Sequence, residues 1–220
     1  SYNNSTQGRA EIDAHWAVEK AYDYYLNTFG RNSFDNAGSI IKSYIHYGQG
    51  FNNGYWNGSV ITLGDGNGQL MSPTPCLDFV GHELTHGVVQ YTAGLVYQGE
   101  SGALNESFAD IFGTAIEFYA GNTPDWTIFE DITLISPFYW RSLSNPNSGL
   151  EGRHDTYQGT YWYTGTGDNR GVNTNSGVQN FWFYLLSQGV SGTNDPPLNN
   201  AYSVSGIGIN QASQIVYRIL

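Results

Sequence analysis

The sequence predicts a mixed α+β protein in which a strand-rich first part is followed by a mainly helical second part. Three observations lead to this expectation. Apolar residues at helical spacing begin the chain, aromatic and β-branched residues follow between 40 and 63, and helical patterns return after residue 77. With 220 residues, 40% of them hydrophobic, the chain can bury a sizeable core in one large or two small domains.

The first half of the chain divides into a helix, a strand region and a second helix. Residues 9–29 carry apolar and aromatic side chains at helical spacing, and Gly30 follows as a C-cap. In residues 40–63, short aromatic and β-branched runs alternate with Gly and Asn, which indicates strands and turns. Residues 77–90 return to helical spacing, and Gly94 is the stop signal.

The second half is predicted to be helical apart from one long irregular region. A strong helix is expected over residues 104–120, ended by Gly121, and it carries several acids among its apolar residues. Residues 124–171 lack periodicity and predict long loops with short strands. Further helices are expected over residues 175–188 and 210–220. Because the last pattern has no cap and no leader precedes Ser1, we expect a processed piece of a longer chain, cut at both ends.

Charge and composition exclude several classes of function. A formal net charge of −11 with only 8 Lys and Arg residues argues against nucleic acid as a partner. No apolar run reaches the roughly 20 residues of a membrane span. A single cysteine, Cys76, excludes an internal disulfide and is expected to be a small buried residue. Abundant Tyr, Trp, Asn and Gly, with 12% charged residues, are typical of a secreted hydrolase.

The run from Gly81 to Gly87 contains the pattern H-E-x-x-H, formed by His82, Glu83 and His86. On a helix, two histidines four residues apart lie on one face, so both imidazoles can reach the same ion. The intervening carboxylate lies beside that ion and is free to act as a base. The pattern therefore indicates a zinc-hydrolase site.

A catalytic zinc takes three protein ligands and leaves one position for water, so a third donor is needed. Glu106 is the best candidate, because it lies on the next predicted helix with Asp110 one turn further along the same face. Asp110 and Asn105 are expected to accept hydrogen bonds from the two histidines and so to orient their rings.

These motifs together resemble the thermolysin family of secreted zinc endopeptidases, and the vibriolysin branch most of all. The resemblance rests on His82-Glu-Leu-Thr-His86, Asn105-Glu-Ser-Phe-Ala-Asp110 and Asn52-Asn-Gly-Tyr-Trp-Asn57, in that family's order, and covers nearly the whole chain. It implies a two-lobe α+β fold with the active-site helix between the lobes. The expected division places a strand-rich lobe and this helix in residues 1–95, and an incomplete helical lobe in residues 96–220.

The resemblance also implies a role for individual residues. It makes His82, His86 and Glu106 the zinc ligands, Glu83 the general base and Asp110 the support of His82. It implies that Tyr97 donates to the reaction's oxyanion, and that Asn53, the Gly54 backbone and Arg141 bind substrate. Alone, Tyr97 and Arg141 would be ordinary surface or hydrogen-bonding residues.

Calcium is a second metal that the resemblance implies. The carboxylates of Asp78, Glu117, Asp125 and Glu130 match family calcium positions behind the active-site helix, and at least one ion is expected. Each acid taken alone would be a solvated surface residue. Thr127 stands where some relatives carry another acid.

Asn173 is the main departure from the family pattern. It occupies a position that is normally histidine, hydrogen-bonded to the aspartate at Asp168, and that histidine stabilises the transition state. Asparagine can donate a neutral hydrogen bond but cannot become cationic. Three interpretations remain open: an engineered substitution against self-digestion, a natural slow variant, or replacement of the histidine by the nearby His154.

Two functional hypotheses follow. The first is a secreted, zinc-dependent neutral endopeptidase that cleaves on the amino side of apolar residues, with Phe79 and Trp140 lining the specificity pocket. The second is an impaired or fragmentary family member that binds zinc, calcium and peptide without efficient turnover. The expected partners are protein and peptide substrates and a propeptide or complementary fragment, with no nucleic acid and no membrane. A non-proteolytic zinc hydrolase has no supporting motif.

Overall fold

The computed structural model of the chain describes residues 7–121 and 124–220. Within these residues the helices are α1 (Gln7–Phe29), α2 (Leu77–Gln90), α3 (Gly99–Ala120), α4 (Asp168–Gly171), α5 (Gly177–Gln188) and α6 (Ile209–Tyr217). The strands are β1 (Ser43–Tyr47), β2 (Gly54–Trp56), β3 (Ile61–Gly64), β4 (Thr127–Ile128), β5 (Arg141–Ser142), β6 (Ser191–Thr193) and β7 (Ala201–Ser203).

The strands of the first half form a three-stranded sheet in the order β1-β3-β2. β3 is buried along its whole length, pairs in parallel with β1, and pairs antiparallel with β2. β2 is therefore an edge strand, with Gly54 opposite Leu63 and Trp56 opposite Ile61. This arrangement confirms the predicted strand region and leaves one edge of β2 open to the cleft described below.

Close packing of α2 against α3 positions the site. At their crossing, a Cβ on Gly81 would lie 2.8 Å from Ile116 Cδ1, and a Cβ on Gly113 would lie 2.7 Å from the carbonyl oxygen of Asp78. Only glycine permits this approach without displacing a helix. The short separation allows polar side chains on the two helices to meet directly in the interior.

An aromatic core joins the two ends of the chain. The ring of Phe29 in α1 stacks on Tyr217 in α6 with a centroid distance of 4.0 Å, and it meets Phe112 of α3 edge-on at 5.9 Å. Tyr25 is buried in the same group, and its hydroxyl lies 2.7 Å from Thr85 Oγ1 of α2. Aromatic pairs of this kind stabilise a core beyond the area they bury.

Several predicted boundaries agree with the structure. α2 covers the predicted residues, and the glycines predicted after two helices adopt left-handed conformations, with φ of +69° at Gly30 and +70° at Gly121. The region 124–171 contains the predicted loops and short strands, and in addition a 3₁₀ turn and the four-residue α4. Cys76 is buried and free, as expected.

Three predicted boundaries were wrong. α3 begins at Gly99 rather than at residue 104. The glycines of its first turn have low helix propensity, but Gly102 packs against Val172, and this contact stabilises the turn. A 3₁₀ turn, Thr174–Ser176, precedes α5, which begins at Gly177. α6 ends at Tyr217, and Ile219 beyond it is 59% exposed, so little packing holds another turn. The predicted domain boundary between residues 95 and 96 falls between α2 and α3 and remains a prediction. The first predicted domain starts at Ser1, which lies outside the described residues.

Candidate metal centre and cleft

Three side chains from α2 and α3 converge in the interior. His82 Nε2 and His86 Nε2 lie 3.1 Å apart, and the carboxylate oxygens of Glu106 lie 3.7 and 3.5 Å from them. Among the described residues, this is the only group that brings three possible ligand atoms within 4.8 Å of one another. The predicted third donor, Glu106, is therefore where the sequence placed it.

The hydrogen bonds around the two histidines point to a metal. His82 Nδ1 lies 2.8 Å from Asp110 Oδ1, and His86 Nδ1 lies 2.8 Å from Asn105 Oδ1. Because both partners are oxygen acceptors, each Nδ1 carries the proton in the neutral ring, and each Nε2 presents a lone pair. Two lone pairs at this distance repel unless a cation lies between them. Tetrahedral zinc at its usual bond length would place the two nitrogens roughly 3.3 Å apart.

Asp110 is fully buried and is held by side chains from two helices and a strand. It accepts hydrogen bonds from His82, from Asn180 Nδ2 at 2.8 Å, and from Arg141 Nε at 2.7 Å and Arg141 Nη2. Burial alone would raise the pKa of Asp110, but the Arg141 charge and these hydrogen bonds hold it well below its ordinary value. Asp110 therefore stays ionised and fixes the ring of His82.

Glu83 lies beside this group without belonging to it. Its side chain is buried, and Oε2 accepts a hydrogen bond of 2.8 Å from the backbone N–H of Trp56 on β2. The strand thus holds the carboxylate in place. The arrangement leaves Glu83 facing the same space as the histidines, as the motif predicted.

A cleft of about 1140 Å³ opens over these residues. Its size is enough for several residues of an extended peptide. It is lined by the proposed metal group and by these predicted site residues: Asn53, Gly54, Phe79, Glu83, Tyr97, Asn105, Trp140, Arg141, Asp168 and Asn173. His154 does not line the cleft; its ring stacks near Tyr161, with centroids 6.0 Å apart.

Tyr97 donates its hydroxyl hydrogen to Glu106 Oε1. Burial, followed by the Glu106 carboxylate, raises the pKa of Tyr97 well above its usual range, so the hydroxyl remains protonated and able to donate. To reach a substrate oxygen, this hydrogen would have to leave Glu106. A cation bound to the Glu106 carboxylate would release the Tyr97 hydroxyl for this contact.

Asp168 and Asn173 also line the cleft. Asp168, Asn169 and Arg170 adopt left-handed conformations with φ of 50°, 45° and 68°. The resulting turn lets Asp168 accept hydrogen bonds from Asn173 Nδ2 at 2.6 Å and from the Asn173 N–H at 3.0 Å. The predicted contact between these two side chains is present. It engages one of the two hydrogens of the Asn173 amide nitrogen.

Comparison with known proteins identifies the family. The model described as "Thermolysin metallopeptidase, catalytic domain" matches residues 1–90, and the model described as "Thermolysin metallopeptidase, alpha-helical domain" matches residues 93–220. The chain belongs to the thermolysin metallopeptidase family. The α+β thermolysin-like fold predicted from the motifs is confirmed.

Individual thermolysin relatives agree with this assignment. The chain is 50% identical over 214 residues to thermolysin of Alicyclobacillus acidocaldarius subsp. acidocaldarius, and 49% identical over 214 residues to bacillolysin of Bacillus caldolyticus. Each match covers 96% of this chain and 37% of the relative, so the chain spans little more than a third of their length. The solved precursor of protealysin, a metalloproteinase from Serratia proteamaculans, is 34% identical with a TM-score of 0.74, and the match covers 84% of this chain and 61% of that one.

Membership of the thermolysin family implies a catalytic zinc, and the His82, His86 and Glu106 group could hold it. The vibriolysin-like branch remains a prediction. No described helix is both long and apolar enough to cross a lipid bilayer.

The four acids expected to bind calcium lie close enough to interact electrostatically, but no three of their carboxylate oxygens lie within 4.8 Å of one another. Burial, followed by the neighbouring acids, raises the pKa of Glu117 to about 10 and the pKa of Glu130 to about 8. Glu117 Oε2 is buried and has no hydrogen-bond partner among the described residues. Thr127, in place of a further acid, donates its hydroxyl to Asp125 Oδ1 at 2.6 Å or to Glu130 Oε2 at 3.1 Å. Carboxylates crowded in this way are stabilised by a divalent cation.

Two residues of the site were missed by sequence reasoning. Asn180 of α5 is buried, donates to Asp110 and accepts from Ser107 Oγ at 2.6 Å. A polar residue within an apolar helical pattern was the only available signal. Arg153, also missed, is buried beside the cleft in a region without periodicity.

Proposed function

We propose that this chain carries the catalytic machinery of a secreted, zinc-dependent neutral endopeptidase that cleaves peptides on the amino side of apolar residues. The observation that carries the proposal is the pair of imidazole Nε2 atoms 3.1 Å apart, facing Glu106, with the non-ligand carboxylate of Glu83 in the same cleft. Family membership supports the peptidase activity.

His82, His86 and Glu106 are the residues that would hold the zinc ion. When bound, zinc lowers the pKa of a coordinated water toward neutrality and polarises the scissile carbonyl. Glu83 accepts the proton of the attacking water and later delivers it to the departing amine. The hydrogen bond from the Trp56 N–H keeps Glu83 in position throughout.

The substrate backbone is proposed to lie along the open edge of β2. An extended peptide can add to an edge strand by main-chain hydrogen bonds. Gly54 is the first residue of that strand, Asn53 precedes it, and both line the cleft. Arg141 uses Nε and Nη2 on Asp110, which leaves Nη1 without a partner among the described residues and available for a substrate carbonyl. Tyr97 is the proposed donor to the developing oxyanion.

Apolar side chains on the cleft wall support the preference for apolar residues. Phe79, Phe129 and Met71 are buried and line the cleft, together with the partly buried Trp140 and Leu150. An apolar substrate side chain gains free energy by leaving water for such a surface. The apolar residue after the scissile bond is expected to bind here.

Chelator-sensitive peptide hydrolysis tests the function. The zinc-loaded chain is expected to cleave a quenched peptide with Phe or Leu after the scissile bond, and a chelator is expected to abolish cleavage until zinc is restored. A matched peptide with Asp after the scissile bond serves as the control. Hydrolysis that persists in a metal-free sample would contradict the proposal.

The acidic cluster around Glu117 is proposed to bind calcium. At calcium concentrations about 100-fold above Kd, binding stabilises the fold by about 2.7 kcal/mol, which corresponds to a Tm increase of about 5–10 °C. Glu117→Gln is expected to remove at least half of this increase at constant zinc, whereas Asp13→Asn, an exposed acid on α1, leaves it unchanged. Differential scanning calorimetry measures both. An equal calcium response in the Glu117→Gln protein would exclude Glu117 from the site.

The proposed setting is extracellular, with proteins and peptides as substrates. Because this chain spans 37% of its curated relatives, a propeptide or a complementary segment is a further proposed partner. The solved neighbour, which is a precursor, supports this idea. Exposed Ile215 and Ile219 near the end of α6 offer apolar surface for such a segment.

A further inference from the structure

Arg153 is a buried cation on the cleft wall that the proposed chemistry does not use. It is 3% exposed and lines the cleft beside Arg141, Leu150 and Glu151. Its backbone N–H donates to the carbonyl of Pro146 at 2.5 Å. A Cβ on Gly177, the first residue of α5, would lie 2.6 Å from Arg153 Cβ, so the side chain enters the interior where only glycine leaves room.

The guanidinium group of Arg153 is poorly satisfied. Among the residues that the structure describes, it makes one ion pair, from Nη2 to Glu151 Oε2 at 2.8 Å. Nε and Nη1 are buried and have no hydrogen-bond partner among the described residues. Arginine carries five N–H donors, and buried charged donors without acceptors are costly. The group is therefore prepared to accept a second anionic partner.

Glu151, the ion-pair partner of Arg153, is much more exposed than Arg153 itself. The Glu151 side chain is 49% exposed, whereas the Arg153 side chain is 3% exposed. An exposed carboxylate is well solvated and loses little when it leaves an ion pair. A second carboxylate that enters from the cleft can therefore exchange with Glu151 at small cost.

Arg141 provides an internal contrast. Its Nε and Nη2 both bind Asp110, a fully buried carboxylate, so its charge is balanced. The pKa of Arg153 is lowered first by burial and second by repulsion from the nearby Arg141. An arginine remains charged even so. The cleft lining thus includes two arginines: Arg141 is hydrogen-bonded to a buried carboxylate, whereas Arg153 is hydrogen-bonded to the exposed Glu151 and feels Asp110 only at longer range.

We propose that Arg153 binds a carboxylate of the peptide substrate, and that Glu151 occupies that place until the substrate arrives. The inference rests on the proposed peptidase function and deepens it by naming a substrate class. Because Arg153 shares its wall with Trp140 and Leu150, the favoured peptides carry a carboxylate next to the apolar residue that follows the scissile bond. A planar guanidinium binds such a group with two parallel hydrogen bonds.

Two sources supply this chemistry: an acidic side chain or a free C-terminal carboxylate. The test uses short product-like peptides that begin with Phe, so that binding is measured without hydrolysis. Phe-Glu amide carries only the side-chain carboxylate, Phe-Gln acid carries only the terminal one, and Phe-Gln amide carries neither. Isothermal titration calorimetry on the zinc-loaded chain gives each Kd, and the peptide that binds better identifies the source.

At least one carboxylate peptide is expected to bind about tenfold more tightly than the neutral peptide. Arg153→Gln is expected to abolish this preference while the Kd of the neutral peptide stays within about twofold. Glu151→Gln, which removes the competing carboxylate, is expected to increase the preference. Arg218→Gln removes an exposed cation at the end of α6 and is the matched control for net charge.

Equal affinity for all three peptides in the parent chain would overturn the inference, as would a preference that survives Arg153→Gln. If Arg153→Gln does not fold, the Glu151→Gln protein decides, because an unchanged or reduced preference there contradicts the exchange. Failure of the peptidase proposal has a different signature. In that case the binding preference persists, but no zinc-dependent cleavage of any peptide is detected.

Discussion

Replacement of Glu83 by glutamine is expected to lower kcat/KM for peptide hydrolysis on the order of 10³-fold while zinc remains bound. Glutamine keeps an oxygen that can accept the hydrogen bond from the Trp56 N–H, so the side chain stays in place. It cannot take a proton from water at neutral pH. The metal group is unaffected, because Glu83 is not among the three residues that converge on the ion.

The measurement combines hydrolysis of the quenched peptide with zinc content of the purified protein. Glu19 lies on α1 with a side chain that is 55% exposed, so Glu19→Gln is the matched control. It should change neither the activity nor the zinc content. A Glu83→Gln protein that retains zinc and more than a tenth of the activity would rule out Glu83 as the general base. Loss of zinc would instead show that Glu83 contributes to the metal site.

Replacement of Asn173 by histidine is expected to raise kcat/KM by about 10²-fold, the usual effect of one oxyanion donor. In the present chain, the Asn173 amide nitrogen is bound to Asp168 at 2.6 Å. Histidine could keep that contact through one ring nitrogen and direct the other, protonated, toward the substrate. The gain should appear in kcat, because the interaction forms only as charge develops.

Two further variants define the origin of this gain. Asp168→Asn in the Asn173→His background should remove most of the increase, since the carboxylate orients the ring. His154→Ala in the parent chain should have little effect on activity, because His154 does not line the cleft. Equal activity of the parent and Asn173→His proteins would mean that the role assigned to position 173 is wrong. If neither cleaves despite bound zinc, the segments of the relatives that this chain does not span become the cause to investigate.

Glu106 and Asp110 show how far sequence spacing reaches. The helical period places both residues on one face of α3, and the chemistry of zinc requires a third ligand, so their convergence with His82 could be predicted. Glu83 follows from the same motif. The structure has these side chains at the predicted positions because they belong to two regular helices, where distance along the chain translates directly into direction in space; their roles remain predictions.

Arg153 and Asn180 show where spacing fails. Arg153 reaches the cleft from an irregular segment, so no helical or strand periodicity in the sequence predicts where its side chain points. Asn180 lies on a helix with a clear pattern, but its partner Asp110 is 70 positions away. Such contacts depend on how separate elements pack, and a single sequence carries no local signal of that packing. The start of α3 was misplaced for the same reason, because tertiary contact at Gly102 overrides weak helix propensity.

The sequence by itself determined the family, the helices that carry the metal ligands and the identity of the proposed base, because these depend on residue types at fixed helical intervals. Only the tertiary structure decided which groups share charge in the interior: Asp110 with Arg141, the acids around Glu117, and Arg153 with an exposed Glu151 as its one partner. The physical reason is that burial and electrostatic interactions depend on distance in space. For residues far apart in the chain, that distance is fixed only when their helices, strands and loops pack together.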